Sequence, residues 1–189
     1  MEGTELETLE NVVENIKLCM RDGVNNRKSD FRTFTLCSGK EKISGRTVVL
    51  RGFDINKNII IFHSNYTSDK INEIAENPKV CCVFYSKKNK LQIRCFGIAK
   101  INYKNNQTRT SWNKMNDMSK ECYFQNPLPG TKLKNFDSFT THSSNNESDH
   151  FSVITIEIDV IDWLYLKREG HRRAEIYLND IKKSNWLSP

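Results

Sequence analysis

Two adjoining stretches set the frame: GRTVVLRGF (Gly45–Phe53), and after a short turn IIIFHSNYTSDK (Ile59–Lys70). The first is a β-branched strand interrupted by two arginines, a residue type that packing alone does not call for. Side chains two apart share a face of a strand. Arg46, Val48 and Leu50 therefore point one way, and Thr47, Val49 and Arg51 the other. Each guanidinium is a planar fork suited to an anion, but the two do not form a single patch. The second stretch ends in a hydroxyl- and amide-rich turn and enters a short helix, Ser68–Pro78, with Ser68 as its cap. Ile71 and Ile74 form its inner face and Pro78 lies beyond its end. Lys70 sits in the first turn, where free N–H groups and the helix dipole also favour an anion. The plainer alternative is an edge strand whose arginines pair with surface carboxylates.

Working outward, Phe31–Cys37, Arg46–Phe53 and Asn58–Ser64 read as a three-stranded antiparallel meander. Val80–Ser86 and Leu91–Ile101 are two further strands around a KKNK turn. Phe151–Leu166 is the clearest alternating strand, with His171–Leu178 as its hairpin partner. Apolar spacing over Glu5–Arg21 predicts an N-terminal helix within residues 1–24, capped by Thr4. Thr108–Cys122 reads as helical, and the aliphatic-poor segment 134–150 reads as a flexible loop. The expected fold is mostly β with peripheral helices: a single domain over 1–189, its antiparallel sheet closed into a barrel that removes its edges.

Composition narrows the class. With 37% hydrophobic and 28% charged residues the chain reads as an ordinary globular protein without a membrane span. The acidic start lacks an apolar signal region, and the six cysteines show no C-x-x-C spacing. They are expected to be reduced thiols in a cytoplasmic protein, with no metal site. A net charge of +6 points to an anionic partner, nucleic acid or a phosphorylated small molecule. Lys and Arg are interleaved with Asp and Glu, which weighs against nucleic acid.

The ordered set R-x-V-V-L-R, F-H-S-x(3)-S-x-K, N-P and L-Q-I-R-x-F-G resembles the pyridoxamine 5'-phosphate oxidase-like flavoproteins, over about Phe31–Pro189. The resemblance implies the FMN-binding split barrel and a homodimer with FMN at the subunit interface. It implies that Arg46 binds the FMN phosphate and that Val48, Val49, Leu50 and Arg51 lie along the flavin. His63 and Ser64 stand where the family has Tyr-Thr. Lys70 matches the lysine of an S-R-K phosphate motif whose arginine is here Asp69. Gln92 matches a glutamine that reaches the flavin from the other subunit. Trp163 and Arg173 match a tryptophan and an arginine near the ring, and WLSP (Trp186–Pro189) is a shortened form of the usual ending.

The substrate side departs from the true oxidase. Glu169 replaces the arginine two residues before His171, and the expected Tyr/Arg/Ser cluster is replaced by Thr108–Gly130. The implied function is an FMN-dependent oxidoreductase of the oxidase-related branch, passing hydride from a small amine or alcohol to flavin N5, its substrate unassigned. His171 and Arg173 are the catalytic candidates. The alternatives are a flavin-binding module without turnover, or a basic nucleic-acid-binding barrel using Phe84, Tyr85 and Phe96. Trp163 reads equally well as core, His63 as satisfying a turn and His171 as a surface group. Arg109 and Trp112 read as a cation–π pair or a dimer contact.

Overall fold

In the computed structural model the first helix, α1 (Leu9–Asn25), starts where Thr8 accepts the Asn11 N–H at 3.2 Å, four residues later than expected. The structure describes residues 6–136, 138, 140, 141, 144 and 146–189. Thr4 and five residues of the segment read as a flexible loop (137, 139, 142, 143 and 145) lie outside them. Val12, Ile16 and Met20 form the buried stripe of α1, at the helical spacing that the sequence shows.

The meander forms as expected: β1 (Thr33–Ser38), β2 (Ser44–Asp54) and β3 (Ile59–Asn65) pair antiparallel. Helix α2 (Asp69–Glu76) leads into β4 (Lys79–Ser86) and β5 (Leu91–Tyr103). The Thr108–Cys122 region is two short helices, α3 (Asn106–Lys114) and α4 (Asp117–Glu121). The break comes where Asn116 caps the second by accepting the Ser119 N–H. Then come β6 (Phe151–Tyr165), β7 (Arg172–Ile176) and β8 (Asn185–Leu187).

The strand order is β3-β2-β1-β4-β5-β6, and β6 returns to pair with β3, closing a six-stranded antiparallel barrel. Closure leaves those strands no free edge. The 15-residue β6 pairs with β3 through its first half and with β7 through its second. The barrel is therefore split, and β7 and β8 extend beyond it. A register shift at Phe96/Gly97 bends β5 against β6. A Cβ at Gly97 would lie 2.0 Å from the Glu157 carbonyl oxygen, so the close approach of the two backbones there requires glycine.

Phe34, Leu36, Leu50, Phe62, Phe84, Ile93 and Ile156 fill the barrel. A second cluster of Trp112, Tyr123, Phe151 and Val153 packs α3 and its neighbours on the outside of β6. Trp112 is buried there, and the cation over its ring is Lys120 at 5.8 Å, while Arg109 is exposed. Among the described residues no helix is long and apolar enough to cross a membrane.

Candidate functional site

The arginines of β2 do leave opposite faces, and each enters a groove of its own. The first groove, about 310 Å³, is lined by residues of β2 and the start of α2, with Pro129 and Gly130 opposite. Arg46 donates to Ser44 Oγ at 2.7 Å, to both Glu73 carboxylate oxygens at 2.7 and 3.0 Å, and to Ser38 Oγ. Ser38 donates to the same carboxylate at 2.5 Å. Lys70 Nζ donates to Ser68 Oγ at 3.0 Å and Ser64 Oγ at 3.3 Å. Ser68 holds the cap position of α2, but its hydroxyl serves Lys70 and the Asn65 carbonyl oxygen instead of a helix N–H. Burial, and then the neighbouring Arg46, lower the Lys70 pKa against the opposing pull of Glu73 and Asp69. Two cations thus face two carboxylates, Asp69 and Glu73, in one groove.

The second groove, about 390 Å³, lies on the other side of β2. Arg51 enters it at the point where the β2–β3 register shifts between Leu50 and Gly52. Arg27, Arg32, Lys114 and His63 also line it, and no carboxylate does. Arg32 is held by the end of α1, donating to the Val24 and Gly23 carbonyls at 2.8 and 3.2 Å. Its pKa is lowered by burial and then by Arg51 and Arg27. His63 packs its ring edge-on to Phe151 at 5.1 Å, and its buried Nδ1 has no partner. Burial, reinforced by Arg51, pulls its pKa down to about 4, so it is neutral at pH 7.

The remaining candidates do not line either groove. Leu50 is fully buried inside the barrel, Val48 packs against its core and Val49 is half-buried. Ser64 is buried and hydrogen-bonded to Ser68 at 3.0 Å. Gln92 is half-buried on β5, opposite Tyr85 and Leu164. Trp163 is fully buried, donating its indole N–H to Asn15 at 3.3 Å. Arg173 is tied to Asp162 at 2.7 Å, and Arg94 reaches the same carboxylate at 2.5 Å. Burial alone would raise the Asp162 pKa, but hydrogen bonds from Arg173 and Arg94 win and hold it below the usual range. His171 is exposed, and its Nδ1 accepts the Lys167 N–H at 3.1 Å. His171 and Arg173 line a third cleft with Trp186 and Glu7, which shares no residue with the other two.

The sequence assigns Arg46 and Lys70 to one phosphate site and does not single out Glu73, which the fold places against Arg46. Nor does the sequence single out Arg27, Arg32 or Lys114. Arg27 and Arg32 flank Asp30, and Lys114 stands three residues before Asp117, so nothing in the sequence marks them as an anion site.

Residues 13–103, just under half of the chain, match the family model described as the pyridoxamine 5'-phosphate oxidase FMN-binding domain. A pyridoxine/pyridoxamine 5'-phosphate oxidase of Psychrobacter cryohalolentis is 46% identical over 66 residues, which span 34% of this chain and only 30% of that protein. A pyridoxamine 5'-phosphate oxidase-related, FMN-binding protein from Nostoc punctiforme superposes with a TM-score of 0.75 at 19% identity, over 93% of this chain and 96% of its own. PhzG from Burkholderia lata, solved with tetrahydrophenazine-1-carboxylic acid, gives 0.73 at 16%, over 94% and 92%. The two structural likenesses show a shared fold. The family recognised from the strand motifs is thus the one that the comparisons return.

Proposed function

We propose that this chain, a relative of the pyridoxamine 5'-phosphate oxidase-like split-barrel proteins, is an FMN-dependent oxidoreductase acting on a small acidic substrate. The observation that carries the reading is the convergence of Arg46, Lys70 and Ser68 on one groove at the first turn of α2. That donor set fits a phosphate monoester: a guanidinium fork, an ammonium and helix N–H groups all favour a compact anion. When bound, the flavin supplies a two-electron acceptor, taking hydride from a substrate C–H at its N5. The chain's own residues bind and orient. Arg46 and Lys70 hold the phosphate, while the backbone of Val48–Arg51, with His63 and Ser64, flanks the ring.

The second groove supports the substrate class. Four cations with no carboxylate in the lining suit a carboxylate or phosphate on the substrate. Neutral His63 there offers a hydrogen bond without adding charge. Gln92, His171 and Arg173 lie apart from both grooves, which supports a homodimer in which a second copy completes the flavin site, whereas Trp163 is core and takes no part in it. In that arrangement His171 and Arg173 are the catalytic candidates, Arg173 by stabilising negative charge on the reduced ring. Six free cysteines favour the cytoplasm.

A second reading, flavin binding without turnover, is favoured by the engagement of Arg173 with Asp162, which leaves less of its charge for a ring. The test is a visible absorbance spectrum of the purified protein after adding FMN and gel filtration. Flavin bands retained at dimer size support the proposal, and a colourless protein overturns it. Turnover of acidic amines or alcohols by the coloured protein separates the two readings.

A further inference from the structure

We infer that Cys37 and Cys81 are a thiol pair that closes into a disulfide between the first and fourth strands of the barrel. This goes beyond the flavin reading and is independent of it. The two cysteines are direct partners in the antiparallel β1–β4 register. Directly opposed residues of such a ladder have Cα atoms about 4.5 or 5.5 Å apart, inside the roughly 4.4–6.8 Å window of a disulfide. Both are half-buried, on the outer face of the sheet. On its other side Cys37 faces Gly45, where even an added Cβ would stay 3.8 Å from Cys37 Sγ, so that neighbour leaves the sulfur room to turn. Burial, followed by the adjacent Cys37, pushes the Cys81 thiol up to about 11, which places the two sulfurs in each other's field.

The same strand carries an internal control. Cys82 and Cys95 are also direct partners, across β4 and β5, but both are fully buried inside the barrel and closed to an oxidant. A small disulfide is the co-reactant. The Cys37 thiolate attacks one of its sulfurs, forming a mixed disulfide and expelling one thiolate. The Cys81 thiolate then attacks the Cys37 sulfur and expels the second. Two protein thiols are oxidised and one small disulfide is reduced; the two protons lost by Cys37 and Cys81 end on the two expelled thiolates, so two small thiols form with no net proton release. Because Cys81 is held mainly as the thiol at pH 7, the second step accelerates with rising pH. Gly45 lines the first groove, so the bridge forms beside the Arg46 anion site.

The test treats the full folded chain, with exposed Cys122→Ser to suppress bridging between molecules, with glutathione disulfide. Intact mass and peptide mapping are the readouts. The expected product has lost two hydrogens, joins the Cys37 and Cys81 peptides and reverts with dithiothreitol, while Cys82 and Cys95 stay reduced. Adding Cys81→Ser should instead trap one glutathione on Cys37. Because Cys81 and Cys82 share a peptide, Cys82→Ala should keep the bridge, and fragmentation between the two residues assigns it if that variant does not fold. A stable glutathione adduct on the Cys122→Ser protein overturns the inference. So do two thiols that stay open to alkylation while circular dichroism shows a folded barrel.

Discussion

The two grooves on either side of β2 are built from similar cations and differ in what surrounds them. In the first, Arg46 and Lys70 face Glu73 and Asp69, and Arg46 is hydrogen-bonded before any ligand arrives. In the second, Arg27, Arg32, Arg51 and Lys114 share the lining with no carboxylate, and His63 beside them is neutral at pH 7. Prepaired cations have fixed geometry and little net charge. Unpaired cations have a strong field and repel one another until something anionic arrives. The first groove is therefore an aiming device and the second an attracting one. On the proposed reading, specificity for a phosphate's shape belongs to the first, and affinity for negative charge in general to the second.

The largest effect that sharpens this contrast is on stability. His63 has a folded pKa of about 4, below its ordinary value, so the unfolded chain binds more protons between about pH 6.5 and 4. The stabilisation is complete above about pH 6.5 and is lost as pH falls toward 4. It amounts to about 3 kcal/mol for one group. Urea midpoints at pH 7 and pH 4.5 should show that loss in the wild-type protein and much less of it in His63→Gln. Equal acid sensitivity in both would mean that the second groove does not keep His63 neutral.

Next in size, Arg46→Gln combined with Glu73→Gln, so that no carboxylate is stranded, should weaken FMN by about 100-fold. Riboflavin, which lacks the phosphate, should bind both proteins alike in a fluorescence titration. Equal losses for the two ligands would break the assignment of the first groove to the phosphate. Arg51→Gln should reduce the affinity for inorganic phosphate, read from its thermal stabilisation of the protein, by about tenfold. FMN retention should change less than in the Arg46 variant. The smallest effect is expected from Asp69→Asn, which removes one carboxylate from the partly open first groove and should tighten FMN by about fivefold. No gain at low salt would show that Asp69 is solvated away from the anion.

Strand alternation made the opposite facing of Arg46 and Arg51 legible, because it depends on a period of two and on nothing distant. The meander and the clearest strand, β6, were legible for the same reason. The start of α1 was not, since Thr4 and Thr8 offer the same chemistry and only packing of the apolar stripe chooses between them. The second groove was out of reach of sequence reasoning. It joins the end of α1, the β2–β3 register shift and the start of α4, and nothing local at Arg27, Arg51 or Lys114 announces the other two. Glu73 failed in another way: a carboxylate on a short helix reads as solvated until the partner strand is known to lie beneath it.

The double pairing of β6 has a consequence in time. Barrel closure joins residues near 60 to residues near 155, contacts of long sequence separation that form slowly. During synthesis β3 and β5 are complete long before β6 leaves the ribosome, and both then present a bare strand edge. The stretch that matches the family model ends at residue 103, before the strand that closes the barrel. What sequence comparison recognises as a domain is, as a nascent chain, an open sheet waiting for its last stave.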